Sequence, residues 1–183
     1  TSDNDEGKET RTYYSSEQGL DTLKKYAAMF GLGETSGLEI PESEPQISDD
    51  SSVPSAIGQG TNNYTTSQLA RYITTVANKG NLFKLSLIDK VTTIDGEMVK
   101  DYTPEQENTL TDISSSTWTA IHNGMKKVIS SAHPDMFAKL MASDVSLAGK
   151  TGTAQQSTTH PDHGLFVGFA PVSYTHLRAH ETD

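Results

Sequence analysis

The chain has 183 residues, no cysteine and a formal net charge of −10 at pH 7. The length suits one domain, and the absence of cysteine excludes a disulfide framework and thiolate metal sites. The acidic excess argues against nucleic acid as a partner, because phosphate binding needs clustered Lys and Arg, and no run approaches the roughly 20 apolar residues of a membrane span.

The first third of the chain predicts a polar terminus, a helix and a long loop. Residues 1–18 are polar and acidic without periodicity, which is typical of a loop or frayed terminus. Apolar residues at helical spacing predict a helix from Gly19 to Phe30, and Gly31 supplies a left-handed stop. Residues 34–56 are rich in Ser, Pro, Glu and Asp, so we expect a long loop with little regular structure.

The middle third predicts one helix and one hairpin. Thr65 and Gln68 have capping-box spacing, and the apolar face that follows predicts a helix ending at Gly80. Alternation from Leu85 to Thr93 predicts a strand, and Asp95-Gly96 predicts a two-residue hairpin turn after it.

The last third predicts helices followed by two strands. Ser116 is the expected cap of a helix that reaches Ile129, and Pro134 is expected to open a short helix. Strands are expected within 145–156 and 165–171, as an antiparallel pair. This mixture of helices and antiparallel strands predicts an α+β fold.

Lys150-Thr151-Gly152-Thr153 is the segment with the most chemical content. A Lys ammonium and Thr hydroxyls suit the carboxylate of an acyl substrate, and Gly152 leaves the backbone open to a peptide-like ligand. The backbone N–H of Thr153 is a candidate for half of an oxyanion hole. Taken alone, Lys-Thr-Gly occurs more often in an ordinary surface strand.

Six further sequence segments decide how the Lys-Thr-Gly motif is interpreted. In chain order they are Lys25–Gly33, Ser36–Pro41, Ala56-Ile-Gly-Gln-Gly60, Tyr64–Ala70, Val76–Gly80 and Leu165–Pro171. Their order and spacing resemble the monofunctional, class B penicillin-binding protein transpeptidases over about residues 19–171. The resemblance implies a penicillin-binding protein or serine β-lactamase-like fold, an antiparallel sheet flanked by helices.

Two parts of the chain depart from this family. The family's nucleophile lies in Ser-x-x-Lys, and no Lys here has a Ser three residues before it; Ser2-Asp3-Asn4 matches the family's Ser-x-Asn element but continues as a polar segment. We therefore expect 19–171 to be the C-terminal portion of a truncated transpeptidase domain whose nucleophile is absent from this chain. Residues 172–183 resemble a translated sequencing adapter and are set aside as an artefactual tail.

The resemblance implies serine acyl transfer that cross-links peptidoglycan. A Ser would attack the D-Ala-D-Ala bond of a stem peptide, Lys150, Thr151 and Thr153 would recognise the terminal carboxylate, and β-lactam antibiotics would be trapped at the same step. Gly58, Gln59 and Gly60 are expected to shape a turn behind the site. The scheme needs no metal and no organic cofactor.

Two alternatives stay open. A serine β-lactamase or D,D-carboxypeptidase shares Lys-Thr-Gly but uses water as acceptor, whereas a β-lactam sensor keeps the pocket without turnover. The resemblance also implies a place in the cell envelope, at the outer face of the cytoplasmic membrane, with an anchor upstream of residue 1. Contacts with the cell-wall synthesis machinery are expected through those upstream regions.

Overall fold

The computed structural model describes residues 14–132, 135, 137–138, 146–154 and 163–170. Helices and short antiparallel strand pairs alternate along these residues. The helices are α1 (Ser16–Met29), α2 (Ser52–Ala56), α3 (Thr66–Ala77) and α4 (Ser115–Lys127), the last followed by a π-helical turn over Val128–Ala132. The strands are β1 (Asn81–Phe83), β2 (Lys90–Thr92), β3 (Met98–Asp101), β4 (Gln106–Thr109), β5 (Ala148–Ala154) and β6 (His163–Phe169).

Helix α1 begins earlier than its apolar spacing predicts. The Ser15 hydroxyl accepts a hydrogen bond from the Gln18 N–H at 3.2 Å, so the cap lies four residues before Gly19. The prediction of a polar loop through residue 18 is therefore wrong for the last three positions, which are helical. The end is as predicted, because Gly31 has φ 77° in the left-handed region.

The long loop contains more regular structure than expected. Helix α2 interrupts it, with buried Ser52 and Ser55 side chains, and Gln46 forms a β-bridge with Asn63. Hydroxyl contacts rather than apolar side chains hold α2 in place, since the Ser55 hydroxyl forms a hydrogen bond with the Ser48 hydroxyl at 2.7 Å. An apolar pattern does not reveal a helix held this way.

Helix α3 confirms the predicted capping box. The Thr65 hydroxyl accepts from the Gln68 N–H, and the Gln68 side chain accepts from the Thr65 N–H at 2.8 Å. Gly80 follows the helix with φ 99°, and its N–H donates to the Thr75 carbonyl at 2.8 Å. A Cβ on Gly80 would lie 2.9 Å from the Trp118 ring, so this glycine also lets α4 approach.

The predicted strand over Leu85–Thr93 is correct only for β2. Residues 85–89 instead form a connecting segment, in which the Leu85 N–H donates to the Ser36 carbonyl at 2.9 Å. The two-residue turn is also wrong: the Thr93 N–H bonds to the Glu97 carbonyl at 2.8 Å around a three-residue loop. Gly96, with φ 87°, takes the left-handed position of that loop.

The cap of helix α4 lies two residues before the predicted position. The Ser114 hydroxyl, rather than that of Ser116, accepts from the Thr117 N–H at 3.1 Å. The helix expected from Pro134 lies largely outside the described residues.

The core lies where α1, α3 and α4 meet. The Phe30 ring packs edge-on against Tyr72 at 5.5 Å and against Trp118 at 6.0 Å. Among the residues that the structure describes, the buried apolar ones are Ala27, Val76, Leu82, Leu110, Trp118, Ile129, Phe137 and Ala148. The three strand pairs, β1–β4, β2–β3 and β5–β6, are all antiparallel, in keeping with the predicted α+β class. Within the described residues, no helix is long and apolar enough to cross a membrane.

Candidate active-site strand pair

The Lys-Thr-Gly segment forms the middle of β5. It pairs antiparallel with β6 in unbroken register, so that Lys150 is opposite Val167, Thr151 opposite Phe166 and Gly152 opposite Leu165. Among the described strands β5 pairs with β6 alone, which leaves its other edge without a partner strand. An extended peptide can bind such an edge through main-chain hydrogen bonds.

Strand alternation divides the predicted site residues between two faces. Lys150 and Gly152 share one face, whereas Thr151 and Thr153 share the other with Phe166. Lys150 and Thr153 are exposed, and the Lys150 ammonium donates to the Thr151 carbonyl. The structure therefore brings the two threonines together on one face of β5, whereas Lys150 lies on the opposite face.

A groove of about 460 Å³ lies between α3 and this strand pair. Helix α3 contributes Thr66, Leu69, Ala70 and Ile73, and the strands contribute Lys150 to Gly152 and Leu165 to Gly168. Leu165 is 51 % exposed and Phe166 is 47 % exposed. Among the described residues of the lining, which are mostly apolar, Lys150 alone is basic.

A second apolar groove continues from the first. It has a volume of about 660 Å³, lies between α1, α3 and the turn at Gly58, and shares Thr66, Leu69 and Leu165 with the first groove. Two joined apolar grooves on one side of the β5–β6 pair suit a helix or an extended apolar segment as occupant.

Glycines let an aromatic ring cover the strand before Lys150. A Cβ on Gly149 would lie 2.4 Å from the Phe166 ring, and one on Gly168 would lie 2.9 Å from it. The same ring packs against Phe137 with centroids 5.3 Å apart. Phe166 therefore fills the space that both glycines leave and holds β5 in position against β6.

Helix α3 is fixed beside the strands by contacts with the long loop. The Gln68 side chain, which is buried, donates to the Ser43 carbonyl at 3.1 Å. The Glu42 carboxylate accepts from the Ser67 hydroxyl at 2.6 Å and from the Ser36 hydroxyl at 2.7 Å. Partial burial opposes ionisation of Glu42, but these hydrogen bonds outweigh it and hold the Glu42 pKa below its ordinary value.

The Ile57-Gly-Gln-Gly60 segment is a turn, as predicted. Gly58 and Gly60 have φ values of 87° and 82°. A Cβ on Gly60 would lie 2.7 Å from the Ser48 hydroxyl and 2.8 Å from that of Ser55. The turn thus closes over a cluster of hydroxyl groups and positions the start of α3.

Arg71 has a central structural position that its sequence context did not indicate. Its side chain is 2 % exposed although it carries a charge. The guanidinium donates to the carbonyls of Phe83, Thr35 and Gly31 and pairs with the carboxylates of Glu34 and Glu107. These partners lie 12 to 40 residues away in sequence, so no local pattern predicts the cluster.

Two further sequence predictions lie outside the described residues. These are the Ser2-Asp3-Asn4 element and the tail 172–183. The described residues contain no group of three or more potential metal ligands.

The family model of the penicillin-binding protein transpeptidase domain matches residues 12–177. The chain belongs to this family. The match covers all the motif blocks and ends inside the segment predicted to be an adapter-derived tail. The class B assignment from sequence agrees with the relatives: the chain is 30 % identical over 153 residues to penicillin-binding protein 2A of Bacillus subtilis. It is 26 % identical over 151 residues to penicillin-binding protein 2B of Streptococcus pneumoniae.

Solved penicillin-binding proteins have the same fold. Penicillin-binding protein A of M. tuberculosis, as an imipenem acyl-enzyme complex, matches with a TM-score of 0.68 and 25 % identity over 85 % of this chain and 35 % of that one. The D,D-transpeptidase domain of a peptidoglycan glycosyltransferase from Eggerthella lenta also gives 0.68, at 22 % identity over 85 % of this chain and 40 % of that one. Pseudomonas aeruginosa PBP2, in complex with WCK 5153, gives 0.63 at 30 % identity over 83 % of this chain and 36 % of that one.

The chain matches only part of these relatives. Aligned segments cover 78 % of this chain but 21 % of the Bacillus protein, and 76 % of this chain but 22 % of the Streptococcus protein. The transpeptidase-domain assignment therefore applies to this chain, and the activity of a whole protein is a separate question.

Proposed function

We propose that this chain is the C-terminal part of the D,D-transpeptidase domain of a class B penicillin-binding protein, which cross-links peptidoglycan by serine acyl transfer. The observation that carries the proposal is the Lys150–Thr153 strand, which pairs in register with β6, and with no other described strand, beside an apolar groove. The whole protein would act at the outer face of the cytoplasmic membrane on stem peptides. It would meet the cell-wall synthesis machinery through regions outside this chain.

The two faces of β5 suggest a division of roles. Thr151 and Thr153, on one face, are suited to receive the terminal carboxylate of a stem peptide or a β-lactam, and the Thr153 N–H would form half of the oxyanion hole. Lys150 lies on the face of β5 that lines the groove. From there its ammonium would supply positive charge and donate hydrogen bonds to polar groups of the catalytic centre. Gly152 keeps the backbone open to the ligand.

The nucleophile would come from outside this chain. In this proposal the family's nucleophile-bearing helix covers one face of the strand pair, and the two joined grooves, of about 460 Å³ and about 660 Å³, are its seat. The serine oxygen, activated by a neighbouring base, would attack the carbonyl of the penultimate D-Ala and release the terminal D-Ala. An amine on a neighbouring peptidoglycan strand would then accept the acyl group, which regenerates the serine.

The first test is covalent labelling with a fluorescent penicillin. The chain of 183 residues should form no boiling-resistant adduct, because no Ser has a Lys at the required spacing. The protein extended by the reading frame upstream of residue 1 should label. Stable labelling of the 183-residue chain would show that the nucleophile lies within this chain and would contradict the proposal.

The second test is Lys150→Ala in the extended protein. Labelling should slow by roughly 10- to 150-fold, since a charge-assisted hydrogen bond worth about 1.5–3 kcal/mol is lost. Lys126→Ala, which removes an exposed lysine from the last turn of α4, is the matched control and should label like the wild type. Unchanged labelling of Lys150→Ala would remove Lys150 from the proposed site.

A further inference from the structure

The hairpin over residues 90–101, made of β2, β3 and the loop between them, exposes apolar side chains to solvent. Every residue of both strands is exposed, and among the described strands the two pair only with each other. Ile94 at the apex is fully exposed, and Met98 and Val99 are 57 % and 62 % exposed. Two-stranded ribbons of this kind have little stability of their own in water.

Contacts at the base hold the 90–101 hairpin to the rest of the domain. The Glu39 carboxylate accepts from the Ser86 hydroxyl at 2.5 Å and from the Leu87 N–H at 2.9 Å. The Tyr102 N–H donates to the Asp89 carbonyl at 3.0 Å. The hairpin is therefore presented outward from an anchored base, with strand edges that no other described strand covers.

The outer part of the hairpin is acidic, whereas Lys90, Lys100 and Asp101 lie at its base. Residues 91–99 include Asp95 and Glu97 and contain no Lys or Arg. A second copy of this chain, with a net charge of −10 and the same acidic tip, would be repelled. An anionic membrane surface would be repelled for the same reason.

A groove at the base extends this surface. It has a volume of about 550 Å³, and its lining includes Leu87, Ile88, Asp89 and Tyr102. An apolar side chain of a bound segment has room there, next to the strands that would pair with its backbone.

We propose that the 90–101 hairpin is a docking surface for an extended segment of a partner protein in which basic and apolar residues alternate. The segment adds as a strand along the hairpin edge, its apolar side chains cover Ile94 and Met98, and its basic side chains meet Asp95 and Glu97. This surface is separate from the Lys150 strand, so the inference does not depend on the proposed acyl transfer.

The test uses a fluorescein-labelled peptide of alternating Lys and Val, with an alternating Glu and Val peptide as its control. Fluorescence anisotropy with the 183-residue chain should show saturable binding of the Lys peptide alone, weaker at about 200 mM than at about 50 mM salt. Ile94→Thr/Met98→Thr and Asp95→Asn/Glu97→Gln should each weaken binding by about tenfold or more. Circular dichroism should show unchanged thermal melting of both variants, because the four side chains lie on the exposed hairpin.

The matched control is Ile40→Thr/Glu44→Gln, which makes the same kinds of change at exposed positions of the long loop. It should bind the peptide like the wild type. Equal binding by all variants would show general attraction to an acidic chain and overturn the proposal, as would the absence of saturable binding. Two further results would also overturn the proposal: self-association of the wild type in sedimentation experiments, or its flotation with anionic vesicles. Either result counts only if the Ile94→Thr/Met98→Thr variant does not show it.

Discussion

Arg71 links three segments that are far apart in sequence. From α3 its guanidinium reaches the turn after α1, strand β1 and the Glu107 carboxylate on β4. A buried charge with this many partners is costly to disturb, because the guanidinium has given up its hydration to meet them. The side chain therefore fixes where α3 lies, and through α3 it fixes one wall of the groove beside Lys150.

Arg71→Met should destabilise the domain strongly. The change leaves the carbonyls of Thr35 and Phe83 without their donor and Glu107 without its buried partner, so we expect a loss of about 3–5 kcal/mol in the free energy of unfolding. Lys84→Met is the control, because the Lys84–Glu105 pair at 3.0 Å is exposed and worth about 0–1 kcal/mol. Urea unfolding followed by circular dichroism measures both; equal losses would contradict the structural role of Arg71.

Gly149 is required by the ring that packs above it. Gly149→Ala would place a Cβ 2.4 Å from the Phe166 ring, and overpacking of this kind costs about 1–3 kcal/mol. Gly152→Ala, three residues further along the same strand, meets only Leu165 at 3.5 Å and should leave stability nearly unchanged. The double variant Gly149→Ala/Phe166→Ala should lose less than the sum of the two single changes, and strict additivity in that cycle would disprove the clash.

At the scale of elements, local signals in the sequence predicted the helices better than the strands. Thr65 and Gln68 cap α3 as predicted, and Gly31 ends α1, because caps and stops depend on neighbouring residues. Strands β1 and β4 have no such signal, since the four residues of β4 are polar and exposed. Leu85 and Leu87 alternate like a strand, yet the contacts of this segment with Ser36 and Glu39 keep it out of a sheet.

The long loop is tied to α3 by Glu42, which makes the junction sensitive to pH. Hydrogen bonds to the ionised carboxylate hold the folded-state Glu42 pKa below its unfolded value, so their stabilisation is present at neutral pH and is lost as the pH falls through the folded-state pKa. Glu42→Gln should therefore be less stable than the wild type at pH 7, and the gap should close in acid.

Urea unfolding at a series of pH values from neutral to strongly acidic measures this gap. Glu44→Gln removes a carboxyl group from an exposed position of the same loop and controls for net charge. It should follow the wild type across the series. A gap between Glu42→Gln and the wild type that is constant with pH would mean that the carboxylate is not responsible.

At the scale of the whole molecule, the sequence predicted the site strand but not its surroundings. The Lys-Thr-Gly strand and its antiparallel partner are where the motifs placed them. The division of Lys150 and Thr151 between two faces follows from strand alternation alone. The grooves could not be predicted, since they are formed by α1, α3 and β6, whose packing depends on contacts such as those of Arg71.

The two joined grooves lead to a prediction about the chain as a whole. With Leu165 half exposed beside Leu69, the 183-residue chain should bind a hydrophobic dye such as ANS and melt with low cooperativity. Leu165→Glu places a charge where both grooves meet and should reduce dye fluorescence severalfold, whereas Ile40→Glu changes an exposed loop residue and should not. Extending the chain with its upstream reading frame should abolish dye binding and sharpen the thermal transition, because the proposed helix then occupies the grooves. Sharp unfolding of the 183-residue chain without dye binding would show instead that these apolar surfaces are already satisfied, and that no further segment is needed to cover them.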